Sequence, residues 1–354
     1  MSDIATLGEF GLIRHLTHDL KQENPSTVKG VGDDCAVIAP QQQTQTVITT
    51  NLLMEGIHFD LTYFPLRHLG YKAVMINLSD IYAMNATPRQ ITVSLALSKR
   101  FSVEDVEELY NGIRLACEQH HVDIVGGDTT SSLTGLTISI TAIGEVSPDK
   151  LTYRSGAKET DLICVSGNLG AAYMGLQLLE REKALFNRQV QEAQKNKTNE
   201  NGDSYTPQPD FTGREYLLER QLKPEARYDI IESLATAGIK PTSMIDISDG
   251  LSSELMHICQ QSQVGCRIYE ERIPLDYQTA AMAEEFNMNV TTCALNGGDD
   301  YELLFTVPLA YNERISQIPD VRIIGYITSA DMGKALICRD GQEFELKAQG
   351  WKEE

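Results

Sequence analysis

Met244-Ile245-Asp246-Ile247-Ser248-Asp249-Gly250-Leu251 decides the fold. Residues 244–247 are a short apolar run of the kind a buried strand uses. Leu251, Leu255 and Ile258 follow at i, i+4 and i+7, the spacing of a helix face. The acidic turn between them is so short that the chain passes directly from strand to helix, the repeating unit of an α/β layer. The same unit stands upstream, where Leu162-Ile163-Cys164-Val165 and Gly167 lead into a helix over about 169–179. Leu303-Leu304-Phe305-Thr306-Val307 reads as a further strand.

The first half has a different texture. Residues 4–20 carry Ile4, Leu7, Phe10, Ile13, Leu16 and Leu20 at helical spacing. Val47-Ile48-Thr49-Thr50 reads as a strand, residues 69–84 as a helix, and residues 136–142 alternate apolar and polar like a half-buried strand. Ser147-Pro148-Asp149 breaks the pattern. The chain has 354 residues, and at ~150 residues per domain that predicts two domains, 1–148 and 149–354. Residues 181–214 are polar and read as an insertion on a helix–helix connection rather than a domain.

The formal net charge is −20, which repels phosphate backbones and anionic membranes but leaves room for phosphorylated small molecules bridged by divalent cations. Seven cysteines, irregularly spaced and without C-x-x-C, read as reduced thiols rather than disulfides or a zinc site. The N-terminal residues lack a basic segment followed by an apolar core, and no run of ~18 apolar residues occurs. A cytoplasmic location is expected, with no membrane or nucleic-acid partner.

Acidic residues recur beside glycines at turns: Gly32-Asp33-Asp34, Gly126-Gly127-Asp128, Asp246-Ile247-Ser248-Asp249-Gly250 and Gly297-Gly298-Asp299-Asp300. Taken singly, each reads as a turn or helix cap; taken together, they also suit Mg²⁺ and phosphate, since Asp supplies hard oxygen and Gly lets the backbone approach a ligand. Asp80 is the most informative. It shares one helical stripe with Ala73, Ile76 and Ala83, and a carboxylate on a core-facing stripe needs a partner, either an arginine, solvent at a bend, or a metal. Asp246 and Asp249 straddle a strand end and a helix start, where backbone N–H groups favour phosphate. Ser248 reads as a cap or a phosphate donor. His120-His121 reads as an exposed helix end. No P-loop, kinase catalytic loop, H-E-x-x-H or nucleophile elbow occurs.

Eight motifs in order, Gly8-Glu9-Phe10, Gly32-Asp33-Asp34-Cys35, Glu55-Gly56-Ile57-His58-Phe59, Asn77-Leu78-Ser79-Asp80, Gly126-Gly127-Asp128-Thr129-Thr130, Arg154-Ser155-Gly156-Ala157, Asp246-Ile247-Ser248-Asp249-Gly250-Leu251 and Gly298-Asp299-Asp300-Tyr301-Glu302-Leu303, resemble those of the thiamine-monophosphate kinase family of the aminoimidazole-ribotide synthetase superfamily. The resemblance spans nearly the whole chain outside 181–214. It implies a two-domain α/β fold of α+β type, a homodimer whose N-terminal sheets form a barrel, and a C-terminal α/β layer. It implies ATP as co-substrate, several Mg²⁺ ions, and transfer of a phosphoryl group to thiamine monophosphate to give thiamine diphosphate. It matches Asp34, Asp80, Asp128, Asp246 and Asp249, with Thr49, Thr50 and Asn51 nearby, to metal ligands. Gly127, Asp128, Arg154 and Ser248 match nucleotide contacts, and His58, Asp299 and Trp351 match substrate contacts.

Two departures stand out. The family pattern after the first strand is Thr-Asp, where this chain has Thr50-Asn51; the amide keeps an oxygen but loses a charge. The family often has Glu where this chain has Asp299. Trp351, the only tryptophan, reads either as a plug on the second domain or as a stacking platform for thiamine. The alternatives are another ATP-dependent synthetase of the superfamily and a non-catalytic Mg²⁺–nucleotide binder. Selenophosphate synthetase calls for a reactive cysteine in a glycine-rich N-terminal tail, and the hydrogenase-maturation dehydratase for a C-terminal cysteine; the first cysteine here is Cys35 and the last residues are Gly350-Trp351-Lys352-Glu353-Glu354.

Overall fold

The computed structural model describes residues 4–31, 35–196 and 211–348. Helix α1 (Ile4–Thr17) precedes an antiparallel pair, β1 (Thr27–Lys29) and β2 (Val37–Ile38). Then come β3 (Gln45–Met54), α2 (Leu66–Ala83), β4 (Thr87–Leu97), α3 (Val103–His120), β5 (Asp123–Ser131) and β6 (Thr137–Val146). Strands β3–β6 form one sheet in the order β3-β6-β4-β5, antiparallel except for the parallel β4–β5 pair. Strict alternation sends Ile138, Ile140 and Ala142 of β6 inward against α2, while Ile48, Leu52 and Met54 of β3 are exposed on the other face.

The remaining elements are β7 (Leu162–Ser166), α4 (Ala171–Asn196), α5 (Glu215–Leu222), α6 (Tyr228–Thr236), β8 (Ser243–Asp246), α7 (Leu251–Ser262), β9 (Gly265–Tyr269), α8 (Tyr277–Glu285), α9 (Val290–Asn296), β10 (Leu303–Val307), α10 (Asn312–Ile315), β11 (Val321–Thr328), β12 (Lys334–Ile337) and β13 (Glu343–Glu345). The second sheet runs β13-β12-β9-β11-β7-β10-β8. Strands β7, β8 and β10 are buried on both faces, whereas β13 at the sheet edge is exposed. Ile163, Val165, Ile245 and Leu304 pack under α7, whereas Leu162, Cys164, Met244 and Phe305 pack under α6 and α10. The sheet is mostly antiparallel, with β9–β12 its one parallel pair among the described residues, so strand-to-helix units do not impose a parallel sheet here. Among the described residues, no helix is long and apolar enough to cross a membrane.

The helix expected over about 169–179 continues to Asn196, through the first part of the polar segment. The residues concerned are largely Glu, Arg, Lys, Gln and Ala, all good helix formers. Residues 197–210 lie outside the described residues.

Helix α2 organises both halves. Pro65 precedes it, and an unbroken run from Leu69 to Ser79 is buried. It touches α3 at very short range. A Cβ on Gly112 would lie 1.8 Å from the Arg67 carbonyl oxygen, and one on Gly70 would lie 2.0 Å from that of Leu109. Backbone on both sides leaves nothing flexible to yield. Gly112→Ala should therefore force the two helices apart and lower stability by roughly 2–3 kcal/mol, read from the urea midpoint. An unchanged midpoint would show that the contact is soft.

Candidate active site

Two acidic turns of the second half are zipped together by backbone. The Asp299 N–H donates to the Ser248 carbonyl (2.7 Å), Tyr301 N–H to Ile247 (2.9 Å) and Ile247 N–H to Glu302 (2.7 Å). The motifs around Asp246 and Asp299, distant in sequence, are thus one structure. Asp299 and Tyr301 have φ of 60° and 51°, the left-handed region that non-glycine residues seldom occupy. The strain places both side chains toward α2.

On the other side, α2 presents Asp80 and Ser79. The Ser79 hydroxyl donates to Asp246 Oδ2 at 2.7 Å. Asp80 and Asp246 line a cavity of about 200 Å³ with Thr49 and Arg154. Burial, and then the neighbouring Asp80, push the Asp246 carboxyl up to about 7, against the pull of Ser79 and Arg154. Burial likewise raises Glu254, on α7, to about 7; it accepts from the Asp249 N–H (3.0 Å) and the Ser248 hydroxyl (3.5 Å). Ser248 therefore does not cap α7 with its own side chain, because Gly250 holds the cap position.

The oxygen Asp80 Oδ2 accepts from the Thr49 hydroxyl (2.7 Å) and from the Asn51 amide (2.9 Å). Asn51 here faces Asp80 with its N–H₂, not with the ligand oxygen its side chain suggested. An Asp at this position would replace that donor with a second anion.

Thr50 and Asp128 are placed elsewhere. Thr50 points to the opposite face of the first sheet, bonded to the Thr141 hydroxyl (3.0 Å) and the Ile140 carbonyl (3.2 Å). Asp128 is in register with Ser94, Ser139 and Leu52 on that same exposed face. Neither shares the Asp80–Asp246 cavity within this chain. Gly127 has a packing requirement of its own, since a Cβ would lie 1.8 Å from the Val93 carbonyl oxygen. Arg154, Ser248 and Asp249 are exposed at the rim. Asp34 and Trp351 lie outside the described residues.

A second cavity, of about 430 Å³, opens on the far side of Ile76. His58, Asp299, Lys72, Tyr301, Phe59 and Tyr63 line it. The His58 Nδ1 accepts the Met54 N–H at 3.0 Å, which fixes the ring. At the rim, Lys183 of α4 donates to Asp60 (2.6 Å) and Tyr63 donates to Glu180 (2.6 Å). These bonds pin the middle of α4 to the 55–63 loop. Lys72, Tyr301 and Glu254 were not singled out from the sequence. Each is a polar side chain on an otherwise apolar or turn segment, and nothing local marks it. Asp300 and Glu302 of the Gly-Asp-Asp-Tyr-Glu motif are structural: Asp300 accepts from the Gly170 N–H at 2.8 Å, and Glu302 pairs with Arg220 (2.9 Å) and Arg227 (2.5 Å). His121 ends α3 in the left-handed conformation and is exposed, while His120 accepts or donates to the Tyr82 hydroxyl at 2.8 Å.

Among the described residues no three His, Cys, Asp or Glu side chains converge on one point. Asp80 and Asp246 are a pair with one arginine nearby, so negative charge is in excess and the donors are hard oxygens. That fits Mg²⁺, which is commonly held by one or two carboxylates with substrate phosphates completing its shell.

Residues 32–146 match the model of the AIR synthase related protein, N-terminal domain. The hydrogenase maturation protein HypE in complex with ATP shares the fold, with a TM-score of 0.70 at 18% identity over 96% of this chain and 95% of that one. Fold and paired acidic turns together define an AIR-synthase-type protein. Within that class, the thiamine-monophosphate kinase of Aquifex aeolicus is 33% identical over 346 residues, covering 98% of each chain. That of Bacillus subtilis is 29% identical over 351 residues, covering 98% of this chain and 99% of the relative. The crystal structure of thiamine-monophosphate kinase from Stenotrophomonas maltophilia superposes with a TM-score of 0.74 at 28% identity, covering 95% of each chain. A structure described as AaThiL complexed with AMPPCP and TMP superposes with a TM-score of 0.69 at 30% identity, covering 98% of each. The chain belongs to the thiamine-monophosphate kinase family.

The raised Asp246 gives a signed expectation. The folded state keeps a proton that the unfolded chain releases near pH 4, so this group's contribution to stability falls as pH rises from about 4 to about 7. A cation that binds the ionised pair offsets the loss. Mg²⁺ should therefore raise Tm clearly at pH 8 and little at pH 5, and Asp246→Asn should abolish the difference. Asn51→Asp should lower Tm without Mg²⁺ and recover with it; a variant indifferent to Mg²⁺ would show that position 51 does not see the cation.

Proposed function

We propose that the chain catalyses ATP-dependent phosphorylation of thiamine monophosphate to thiamine diphosphate. The observation that carries this reading is the pair of adjoining cavities along one helix, an acidic one around Asp80 and Asp246 and a mixed one around His58 and Asp299, in a chain of this family. A relative described with AMPPCP, an ATP analogue, and TMP supports the pairing of nucleotide and acceptor.

The reaction needs no general base. The attacking atom is a phosphate oxygen of thiamine monophosphate, already ionised at neutral pH; it bonds to the γ-phosphorus as the bond to the β-bridging oxygen breaks and ADP leaves. The obstacle is bringing two polyanions into line. Asp80 and Asp246 would hold Mg²⁺, with Asp34, Asp249 and Thr49 as further candidates; Thr50 and Asp128, on the other face of the sheet, and Asn51, which turns its amide N–H₂ to Asp80, would not join them within one chain. When bound there, the cation would neutralise phosphate charge and steady the leaving group. Arg154 would add positive charge at the rim of the acidic cavity, with Ser248 and the Gly127-Asp128 segment of β5 as nucleotide contacts. His58, Asp299 and Trp351 would hold the organic part of the acceptor. Ser79, bonded to Asp246, and Tyr301, bonded to Asp299, are both buried, which limits solvent beside the two carboxylates.

We read the chain as two domains, 1–148 and 149–354, and as a cytoplasmic homodimer. The exposed Ile48, Leu52 and Met54 on β3, an edge strand, support pairing through the outer face of the first sheet. Thr50 and Asp128 lie on that face.

Incubation with ATP, Mg²⁺ and thiamine monophosphate should yield thiamine diphosphate; failure to form it would reject the reading. Asp80→Asn should lower kcat by about a hundredfold or more with an unchanged circular dichroism spectrum. Full activity in the folded variant at saturating Mg²⁺ would make Asp80 a bystander.

A further inference from the structure

Lys72 is a buried cation that the mechanism above does not use. It stands on α2 with Ile76 and Asp80 at successive i+4 steps, so one helix stripe faces both cavities. Its residue is only 3% exposed. A buried ammonium is costly unless fully bonded, and this one is bonded by the other half of the molecule. Its Nζ donates to Asp299 Oδ2 at 3.1 Å and to the Gln221 carbonyl at 3.0 Å, and it lies 5.7 Å from the Phe64 ring centroid.

The pair is asymmetric. The Lys72 side chain is 4% exposed, while that of Asp299 is 37% exposed and opens into the cavity it shares with His58. The other Asp299 oxygen accepts the Tyr301 hydroxyl at 2.8 Å. Burial alone would raise this carboxyl, but Lys72 and Tyr301 hold it below the usual range. The carboxylate is thus gripped from behind by two donors, ionised, and turned toward the cavity. Lys72 cancels most of its net charge, so what the cavity meets is a directional acceptor more than a free anion.

We propose that Lys72 is a positioning residue that sets acceptor specificity: by fixing Asp299 it makes the carboxylate select a substrate whose ring carries an amino N–H donor over one carrying a carbonyl there. This rests on the functional reading above. Thiamine monophosphate has such an amino group on its pyrimidine, and a rigid acceptor rejects a carbonyl in its place because two acceptors are left facing each other. A mobile or protonated carboxyl would lose that discrimination, since it can turn away or donate.

The test compares thiamine monophosphate with its 4-oxo analogue, in which a carbonyl replaces the amino group, by kcat/KM. Wild type should prefer the amino substrate by roughly a hundredfold or more. Lys72→Met should raise KM for thiamine monophosphate about tenfold, leave KM for ATP unchanged, and shrink the preference at least about tenfold. Lys72→Arg, which keeps a cation, should retain most of the preference. The double variant Lys72→Met/Asp299→Asn, which removes both charges and so leaves none buried alone, should keep the melting temperature near wild type yet lack the preference. An undiminished preference in Lys72→Met or in the double variant would overturn the proposal. Wild type that turns over thiamine monophosphate without discrimination would also overturn it. Wild type that forms no thiamine diphosphate would instead reject the functional reading and this inference with it.

Discussion

Two carboxylates from different halves of the chain meet at the junction between them, and much of the structure answers to that fact. Asp80 comes from a helix packed on the first sheet, and Asp246 from the last residue of a strand in the second. Left alone they would repel each other in a poorly solvated space. The protein supplies the Ser79 hydroxyl to one, the Thr49 hydroxyl and Asn51 amide to the other, and a single arginine at the rim. The result is a pair held in place but not neutralised. That residual charge is what makes a cation a natural guest and a triphosphate, arriving with its cation, a natural ligand.

Helix α2 is the common mount. It carries Lys72, Ile76, Ser79 and Asp80, its position is set by backbone-to-backbone contact with α3, and its last residue, Ala83, joins the apolar cluster under the second sheet. The organic end and the phosphate end of a substrate would then be measured off along one rigid rod. Eight residues separate Lys72 from Asp80, about 12 Å at helical rise. The distance between the two chemistries is therefore a covalent property of a helix rather than a property of how loops settle.

Elements with simple periodicity were legible in the sequence. The strand at 303–307 and the helix around Asp80 stand where their apolar patterns put them. The strand read at 47–50 is longer, Gln45–Met54; no residue of it is fully buried and its exposed face mixes Thr50 with Leu52 and Met54, so its ends lack the apolar run that marks a core strand. Among the site residues, Asp80 and Asp246 could be singled out since a carboxylate on an apolar stripe or at a strand end is conspicuous. Lys72 and Tyr301 could not, because what gives them meaning is a partner more than two hundred residues away or a backbone angle. Asn51 shows the limit from the other side. Residue type named an oxygen ligand, and only geometry reveals that the amide nitrogen faces Asp80.

Helix α4 has a last consequence. Its middle is pinned to the 55–63 loop through Glu180 and Lys183, and from Ala184 to Gln189 every residue is exposed. None of residues 184–189 lines either cavity, so recoding that stretch leaves the cavity walls unchanged. A designer can graft a fluorescent reporter or an affinity handle on residues 184–189, which face solvent just beyond the residues that line the second cavity.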